Sequence, residues 1–193
     1  MNIRTFSITC LLGGLFAGAV SAADFKPIFD GKTFEGWNIR KGEEQWWSVR
    51  DGMIVGGSLE KKVPHNTFLA TDTSYQNFEL HYAVRFVKKS GFANSGVQVR
   101  SIRKPKHYEM SGYQVDAGPK WWGKMYDESR RNKFLNAEQP SAEIRALLKK
   151  DTWNQYRIVC QGDRIQTWVN GVQVTDLKDD MTPSGFIGLQ VHG

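Results

Sequence analysis

Asn77-Phe78-Glu79-Leu80-His81-Tyr82-Ala83-Val84-Arg85-Phe86-Val87 alternates along its length. Phe78, Leu80, Tyr82, Val84 and Phe86 fall on one side, and Glu79, His81 and Arg85 on the other. A period of two with one apolar side predicts a half-buried antiparallel strand. Shorter alternations recur at Gln45–Arg50, Met53–Val55, Thr67–Ala70, Val97–Ile102, Tyr113–Asp116, Tyr156–Cys160, Ile165–Val169 and Phe186–His192. Asp51-Gly52 and Asn170-Gly171 supply the positive φ that tight hairpins require. Many short strands punctuated by turn residues predict an all-β fold of two antiparallel sheets packed as a sandwich. One segment reads as helix: Ser141 to Lys149, with Ser141 as cap, Glu143 in the first turn and two lysines at the end.

The chain has 193 residues. Its start carries Arg4, then an apolar run from Ile8 to Val20, then Val20-Ser21-Ala22. That order predicts a secretory leader over residues 1–22, a mature start near Ala23 and a periplasmic or secreted protein. The apolar run is shorter than the roughly 20 residues of a spanning helix, so no stable membrane span is expected. Residues 23–193 suit one domain. Cys10 leaves with the leader, and Cys160 alone cannot form an intramolecular disulfide. Cys160 alternates with Tyr156 and Ile158, which predicts a core thiol. The net charge is +6, but the Lys and Arg are scattered, with small clusters at Lys61-Lys62, Lys88-Lys89 and Arg130-Arg131. No helix-turn-helix or RNA-binding signature accompanies them, so a solvated surface and no nucleic-acid partner is the reading.

Three strands share an unusual feature. Gln98 and Arg100, Gln114 and Asp116, and Gln190 and His192 each lie two residues apart, opposite the apolar residues of their strands. If the strands are neighbours, amides, a guanidinium, a carboxylate and an imidazole converge on one surface. Such groups bind hydroxyl-rich ligands by paired donors and acceptors; solvent-facing residues of an ordinary sandwich are the alternative. Trp168 lies on the polar side of its strand, where an indole can stack on a sugar ring. Trp121-Trp122 sits in a Gly/Pro-bracketed loop beside Asp116. Tyr126-Asp127-Glu128-Ser129-Arg130-Arg131 is either a solvated turn or a site where charges orient one another. His65, His81, His107 and His192 show no close metal spacing, and no zinc, phosphate-loop or dinucleotide motif is present.

The ordered series Phe29-Asp30-Gly31, Gly36-Trp37, Trp47 to Gly56, Asn94 to Arg100, Gly112 to Asp116, Trp153-Asn154, Trp168 to Gly171 and Gly185 to His192 resembles the 3-keto-disaccharide hydrolase domain family. The resemblance implies a jelly-roll like that of concanavalin-type lectins and family 16 glucanases, with the ligand on the concave sheet. It also implies an exported enzyme of sugar breakdown. It implies a closing strand after the Gln-x-His element, where this sequence stops at Gly193. A 3-keto-glycoside has an acidified C2 proton, so a base can remove it and the C1 substituent leaves; water then adds to the enone. His192 is the candidate base, because imidazole as a class titrates near neutral pH. Asp116 and Glu128 complete the candidate catalytic set, Glu128 as acid. Arg100 is the candidate partner of the enolate oxygen, and a divalent metal ion held partly by Asp116 is the other way to supply that charge. Asn94, Gln98, Arg100, Gln114, Trp121, Trp122, Tyr126, Arg130, Trp168 and Gln190 are the candidate sugar contacts. A non-catalytic carbohydrate-binding module and an ordinary glycoside hydrolase are the alternative functions.

Overall fold

The alternation of residues 77–87 becomes a central strand, Phe78–Val84. Its Phe78 and Leu80 are fully buried while Glu79 and His81 turn outward. The computed structural model describes residues 1–5, 25–87, 93–118, 120–136 and 152–193. In chain order the strands are β1 (Asn2–Thr5), β2 (Lys26–Pro27), β3 (Trp37–Ile39), β4 (Trp47–Arg50), β5 (Met53–Gly56), β6 (Thr67–Thr71) and β7 (Phe78–Val84). They continue with β8 (Ser95–Arg103), β9 (Met110–Ala117), β10 (Met125–Glu128), β11 (Asn154–Gln161), β12 (Arg164–Val169), β13 (Val172–Lys178) and β14 (Phe186–Val191). The helix expected over Ser141–Lys149 lies outside the described residues. So do Cys10, the apolar run and Val20-Ser21-Ala22.

Two antiparallel sheets form the sandwich. The first runs β13-β12-β11-β7-β1-β2 and the second β10-β9-β8-β14-β6-β3; β4 and β5 make a separate hairpin. Between the sheets lie Phe78, Leu80, Ile158 and Ile165 from the first and Val99, Tyr113, Val115 and Ile187 from the second. A second cluster of Trp37, Trp46, Trp47 and Leu69 lies under the β4–β5 hairpin. Cys160 is buried in the main core, and burial pushes its thiol up to about 12, which makes it inert as a nucleophile. No helix of the described residues is long and apolar enough to cross a membrane.

β1 fills the place between β7 and β2, with Ile3 paired to Leu80 and to Lys26. Ile3 is buried, and Arg4 donates to Glu79 at 2.8 Å. These are residues that the leader reading assigns to the removed segment.

β8 departs from simple alternation. Its register against β9 shifts between Val99 and Ile102, and Arg100 has φ +48°. A non-glycine residue in the left-handed region costs about 1–3 kcal/mol and persists only where its surroundings hold it. Here the guanidinium is fully buried. It donates to the Gln76 carbonyl at 2.8 Å and the Gly162 carbonyl at 2.7 Å, and it lies 3.4 Å from Asn77 Oδ1. The bulge therefore turns Arg100 away from Gln98, which corrects the expectation that both face one ligand.

Candidate functional site

In the second sheet Val97, Val99, Tyr113, Val115 and Met125 take the core side. The residues between them consequently face outward. Pairing sets Gln98 beside both Gln114 and Gly188, Gln114 beside Tyr126, and Asp116 beside Gly96. Two glycines form the floor. A Cβ on Gly96 would lie 2.6 Å from Gln114 Cγ, and one on Gly188 would lie 2.5 Å from the Met110 sulfur. Their bare backbones let Gln114 and Met110 lie flat across the sheet.

A directional hydrogen-bond chain crosses this floor. Ser101 Oγ donates to Gln98 Oε1 at 2.5 Å, Gln98 Nε2 to Gln114 Oε1 at 2.9 Å, and Gln114 Nε2 to Asp116 Oδ1 at 2.8 Å. Asp116 is only 6% exposed. Burial pushes its carboxyl up to about 7, and the Glu128 charge acts in the same direction; the Gln114 amide and Lys124 oppose it. Asp116 is therefore largely neutral up to about that pH. Glu128 is also raised, first by burial and then by Glu109, while His192 and Gln190 draw it down. Gln190 Nε2 lies 3.5 Å from Glu128 Oε2, and Gln190 Oε1 is buried without a hydrogen-bond partner among the described residues. Asn94 Oδ1 is likewise buried with no hydrogen-bond partner among the described residues. A Cβ on Gly118 would lie 3.2 Å from that oxygen and 3.3 Å from Trp121. His192 lies exposed just past β14, with Nδ1 2.9 Å from the Gly193 carbonyl.

The second sheet thus brings together Asn94, Gln114, Asp116, Trp121, Tyr126, Glu128, Gln190 and His192. Gln98 shares the face but has no exposed surface, so it reaches a ligand only through Gln114. The remaining candidates lie elsewhere, each for a local reason. Arg100 is held inward by the bulge. Trp122 packs on Phe86 and Tyr156 at the core, with ring centroids 5.5 and 6.3 Å away. Arg130 is bound to Asp127 at 2.7 Å and lies 4.6 Å over the Tyr113 ring, so it serves the sandwich interior. Arg131 also pairs with Asp127 and, at 2.7 Å, with Asp179. Trp168 belongs to the first sheet, whose outer face is the opposite surface of the sandwich, and stacks 4.2 Å beneath the Arg157 guanidinium.

Three contributors escaped the sequence reading. Lys124 precedes Tyr126 and Glu128 by steps of two, which places it on the same face; its ammonium lies 4.4 Å over Phe134. Burial lowers its pKa and Asp116 opposes that. The residues 124–128 alternate, and that signal was available once they are read as a strand. Glu109 is buried, accepts from Asn66 Nδ2 at 3.0 Å and is raised chiefly by burial. Ser101 is invisible to alternation because only the bulge brings it to Gln98.

A cleft of about 410 Å³ adjoins the face at Asn94, Gly96 and Gln190 and runs toward Trp47, Phe86 and Trp153. Asp116 and Glu128 do not line it. Among the described residues, no group of three His, Cys, Asp or Glu is arranged to hold a metal ion.

The fold is shared with solved structures. Two Parabacteroides distasonis proteins provisionally named glycosyl hydrolases are similar. One is 19% identical with TM-score 0.63 over 86% of each chain; the other is 23% identical with TM-score 0.57 over 87% of this chain and 91% of that one. Carbohydrate-binding module CBM66 from Bacillus subtilis is 16% identical with TM-score 0.55, over 81% of this chain and 88% of that one. No curated protein matches. Residues 24–193 match the 3-keto-alpha-glucoside-1,2-lyase-like domain, and the chain belongs to that family.

Proposed function

We propose that the outer face of the second sheet cleaves 3-keto-glycosides. The family makes this a carbohydrate-active protein. The finer reading is carried by one observation. A buried, largely neutral carboxyl, Asp116, shares a face with Glu128, His192 and the unpartnered oxygens of Gln190 and Asn94. Two buried acceptors without donors suit a ligand that presents hydroxyls. A neutral carboxylic acid suits an oxygen that gains charge, because it can donate to it.

In this scheme His192 takes the C2 proton. The electron pair moves into the C2–C3 bond and the former ketone oxygen becomes an enolate, which accepts a hydrogen bond from Asp116. The pair then returns to expel the C1 oxygen, and Glu128 in its protonated form delivers a proton to that leaving group. Water adds to the resulting enone. Asp116 takes over the role that Arg100 cannot fill.

The test compares a 3-keto-glucoside with its non-oxidised parent in deuterated water. Turnover of the ketone alone, with deuterium at C2 of recovered substrate or product, supports the scheme. Equal turnover of both without deuterium uptake identifies an ordinary glycosidase, and binding of both without turnover a binding module.

Export is part of the same proposal and rests on Arg4, the Ile8–Val20 run and Val20-Ser21-Ala22. Mass spectrometry of native protein from the cell envelope is expected to find a start near Ala23. An intact Met1 on cytoplasmic protein would refute it.

A further inference from the structure

Met125 pairs with Val115, and both face the core. The next pair along the two strands is Lys124 with Asp116, so both stand on the outer face. Backbone hydrogen bonds lock them opposite each other: Asp116 N–H donates to the Lys124 carbonyl at 2.9 Å, and Gly123 N–H to the Asp116 carbonyl at 2.8 Å. Side chains of such a cross-strand pair leave the sheet about 5 Å apart, and opposite charges there ordinarily close on each other. These two do not. Asp116 Oδ1 is drawn aside by Gln114 Nε2 at 2.8 Å. The Lys124 ammonium is drawn the other way, 4.4 Å over the Phe134 ring. Phe134 is itself fixed by a β-bridge to Tyr126, with the two rings 5.1 Å apart.

Among the described residues the ammonium makes no hydrogen bond and no ion pair. The residue is only 3% exposed, yet its nitrogen keeps access to solvent. The ring attracts the cation through its π face but gives the N–H groups no oxygen to bind. A cation so enclosed calls for an acceptor. The space between the splayed Lys124 and Asp116 is where a ligand oxygen meets both. In the proposed chemistry one oxygen of the sugar gains a full negative charge, the C3 oxygen. An ammonium meets that charge whether or not Asp116 carries its proton, and it does so most strongly where water is scarce.

We propose that Lys124 is a further catalytic residue: its ammonium donates a hydrogen bond to the C3 oxygen of the bound sugar, beside Asp116, and holds the charge of the enolate. Lys124 keeps its proton throughout. The C2 proton still goes to His192, and the electron pair still returns from the enolate to expel the C1 oxygen. Lys124 thus brings to this face the positive charge that Arg100, held inward, does not. Phe134 is a positioning residue that keeps the ammonium off Asp116. The inference deepens the proposed function and rests on it.

Lys124→Met keeps the apolar stem on Phe134 and removes every donor. Its kcat on a 3-keto-glucoside is expected to fall roughly 10²–10³-fold, the scale for one lost oxyanion donor, while KM moves much less and the thermal melt stays that of wild type. Lys124→Arg keeps the charge and is expected to recover part of the loss. If Lys124→Met does not fold, Lys124→Gln, which keeps a polar tip, carries the test. Deuterium uptake at C2 from deuterated water, measured on a 3-keto sugar without a C1 substituent, reads enolate formation apart from cleavage; it is expected to slow in step with kcat. Wild-type kcat and wild-type uptake in a folded Lys124→Met would overturn the role of Lys124 and leave the proposed function standing. A wild type that binds a 3-keto-glucoside without turnover would sink the proposed function, and calorimetric titration would then judge the Lys124 contact: weaker binding of the ketone in Lys124→Met supports it, and unchanged binding overturns it. No binding by wild type would sink both.

Discussion

On the outer face of the first sheet, Glu79 is surrounded. Arg157 lies 2.6 Å away and His81 2.8 Å, both in the segment that the export proposal retains, and Arg157 in turn covers Trp168. Arg164 and Asp176 pair nearby at 2.6 Å. On the outer face of the second sheet the carboxyls of Asp116 and Glu128 have, among the described residues, no basic side chain in ion-pair contact, and the oxygens of Gln190 and Asn94 have no hydrogen-bond partner there. Both faces arise from the same alternation of polar and apolar residues. The first has spent its polar groups on one another; the second leaves several of its own unpaired among the described residues, which suits the proposed ligand. Electrostatics records the difference. Glu79 is held below the ordinary carboxylate range by its partners, although burial works against them. Asp116 is raised to about 7, mainly by burial. A polar strand face is therefore weak evidence for a site, and unsatisfied buried polar atoms on that face are much stronger evidence.

The sharpest way to break this comparison is to remove one acid from the second sheet. Asp116→Asn keeps the shape and the bond from Gln114, but its amide donates far more weakly than a carboxylic acid. Turnover of a 3-keto-glucoside is expected to fall by roughly 10²–10⁴, the usual scale for losing an acid–base group. His192→Gln is expected to fall by a similar factor, while sugar binding persists in both. A variant with wild-type kcat at either position would show that the second-sheet face is no more chemical than the first.

Much of this was legible in the sequence. Period two placed Phe78 and Leu80 inside and Glu79 outside, and it put Gln114, Asp116 and Gln190 on one face. It failed where one residue breaks the period. Arg100 was assigned with Gln98 because a bulge leaves little local mark; its signal lies in Gln76 and Gly162, whose carbonyls hold the guanidinium and which are remote from it in sequence. Period two also carries no sheet identity. Trp168 was read correctly as outward and wrongly as a wall of the site, because nothing in Gln166–Asn170 says which sheet the strand joins. In the segment 126–131, composition could not tell Asp127, which is buried against two arginines, from Glu128, which faces the site. Reading it as a strand decides that, and also finds Lys124.

Stability against pH sharpens the comparison, because the two faces pull in opposite directions. The folded pKa of Glu79 is depressed. Its contribution is present above the ordinary value of 4.5 and is lost as pH falls through the lower folded value. Asp116 has the reverse sign. Its folded pKa is raised, so its contribution is fully present below 3.8 and is lost as pH rises toward about 7. Chemical denaturation of wild type across that window is expected to show a decline toward neutral pH that Asp116→Asn lacks. At about 1.4 kcal/mol per unit the rise from 3.8 to about 7 bounds the gain in Asp116→Asn at roughly 4 kcal/mol at pH 7. Glu79→Gln is expected to lose about 1 kcal/mol near neutrality, a modest figure because Arg157 and His81 are well exposed. Parallel pH profiles for wild type and Asp116→Asn would show that the Asp116 carboxyl is not held neutral.

The smallest expected effect is also the cleanest control. Trp168 has the residue type and the strand side expected of a sugar platform, yet the Arg157 guanidinium already occupies its ring face at 4.2 Å. A cation over an indole at a partly exposed position is worth about 0.5–1 kcal/mol, so Trp168→Ala is expected to lose about that much stability. Because the residue sits on the opposite sheet, kcat and KM for a 3-keto-glucoside are expected to stay within about twofold of wild type, as for substitutions remote from a site. Trp121→Ala provides the contrast. That indole lies beside Asn94 and Gly118 at the Asp116 end of the face, and its loss is expected to raise KM severalfold while kcat changes less. The pair of measurements asks whether the two outer faces differ in function or only in charge pairing. A KM raised by Trp168→Ala and untouched by Trp121→Ala would move the sugar to the first sheet and leave the unsatisfied oxygens of the second without a ligand.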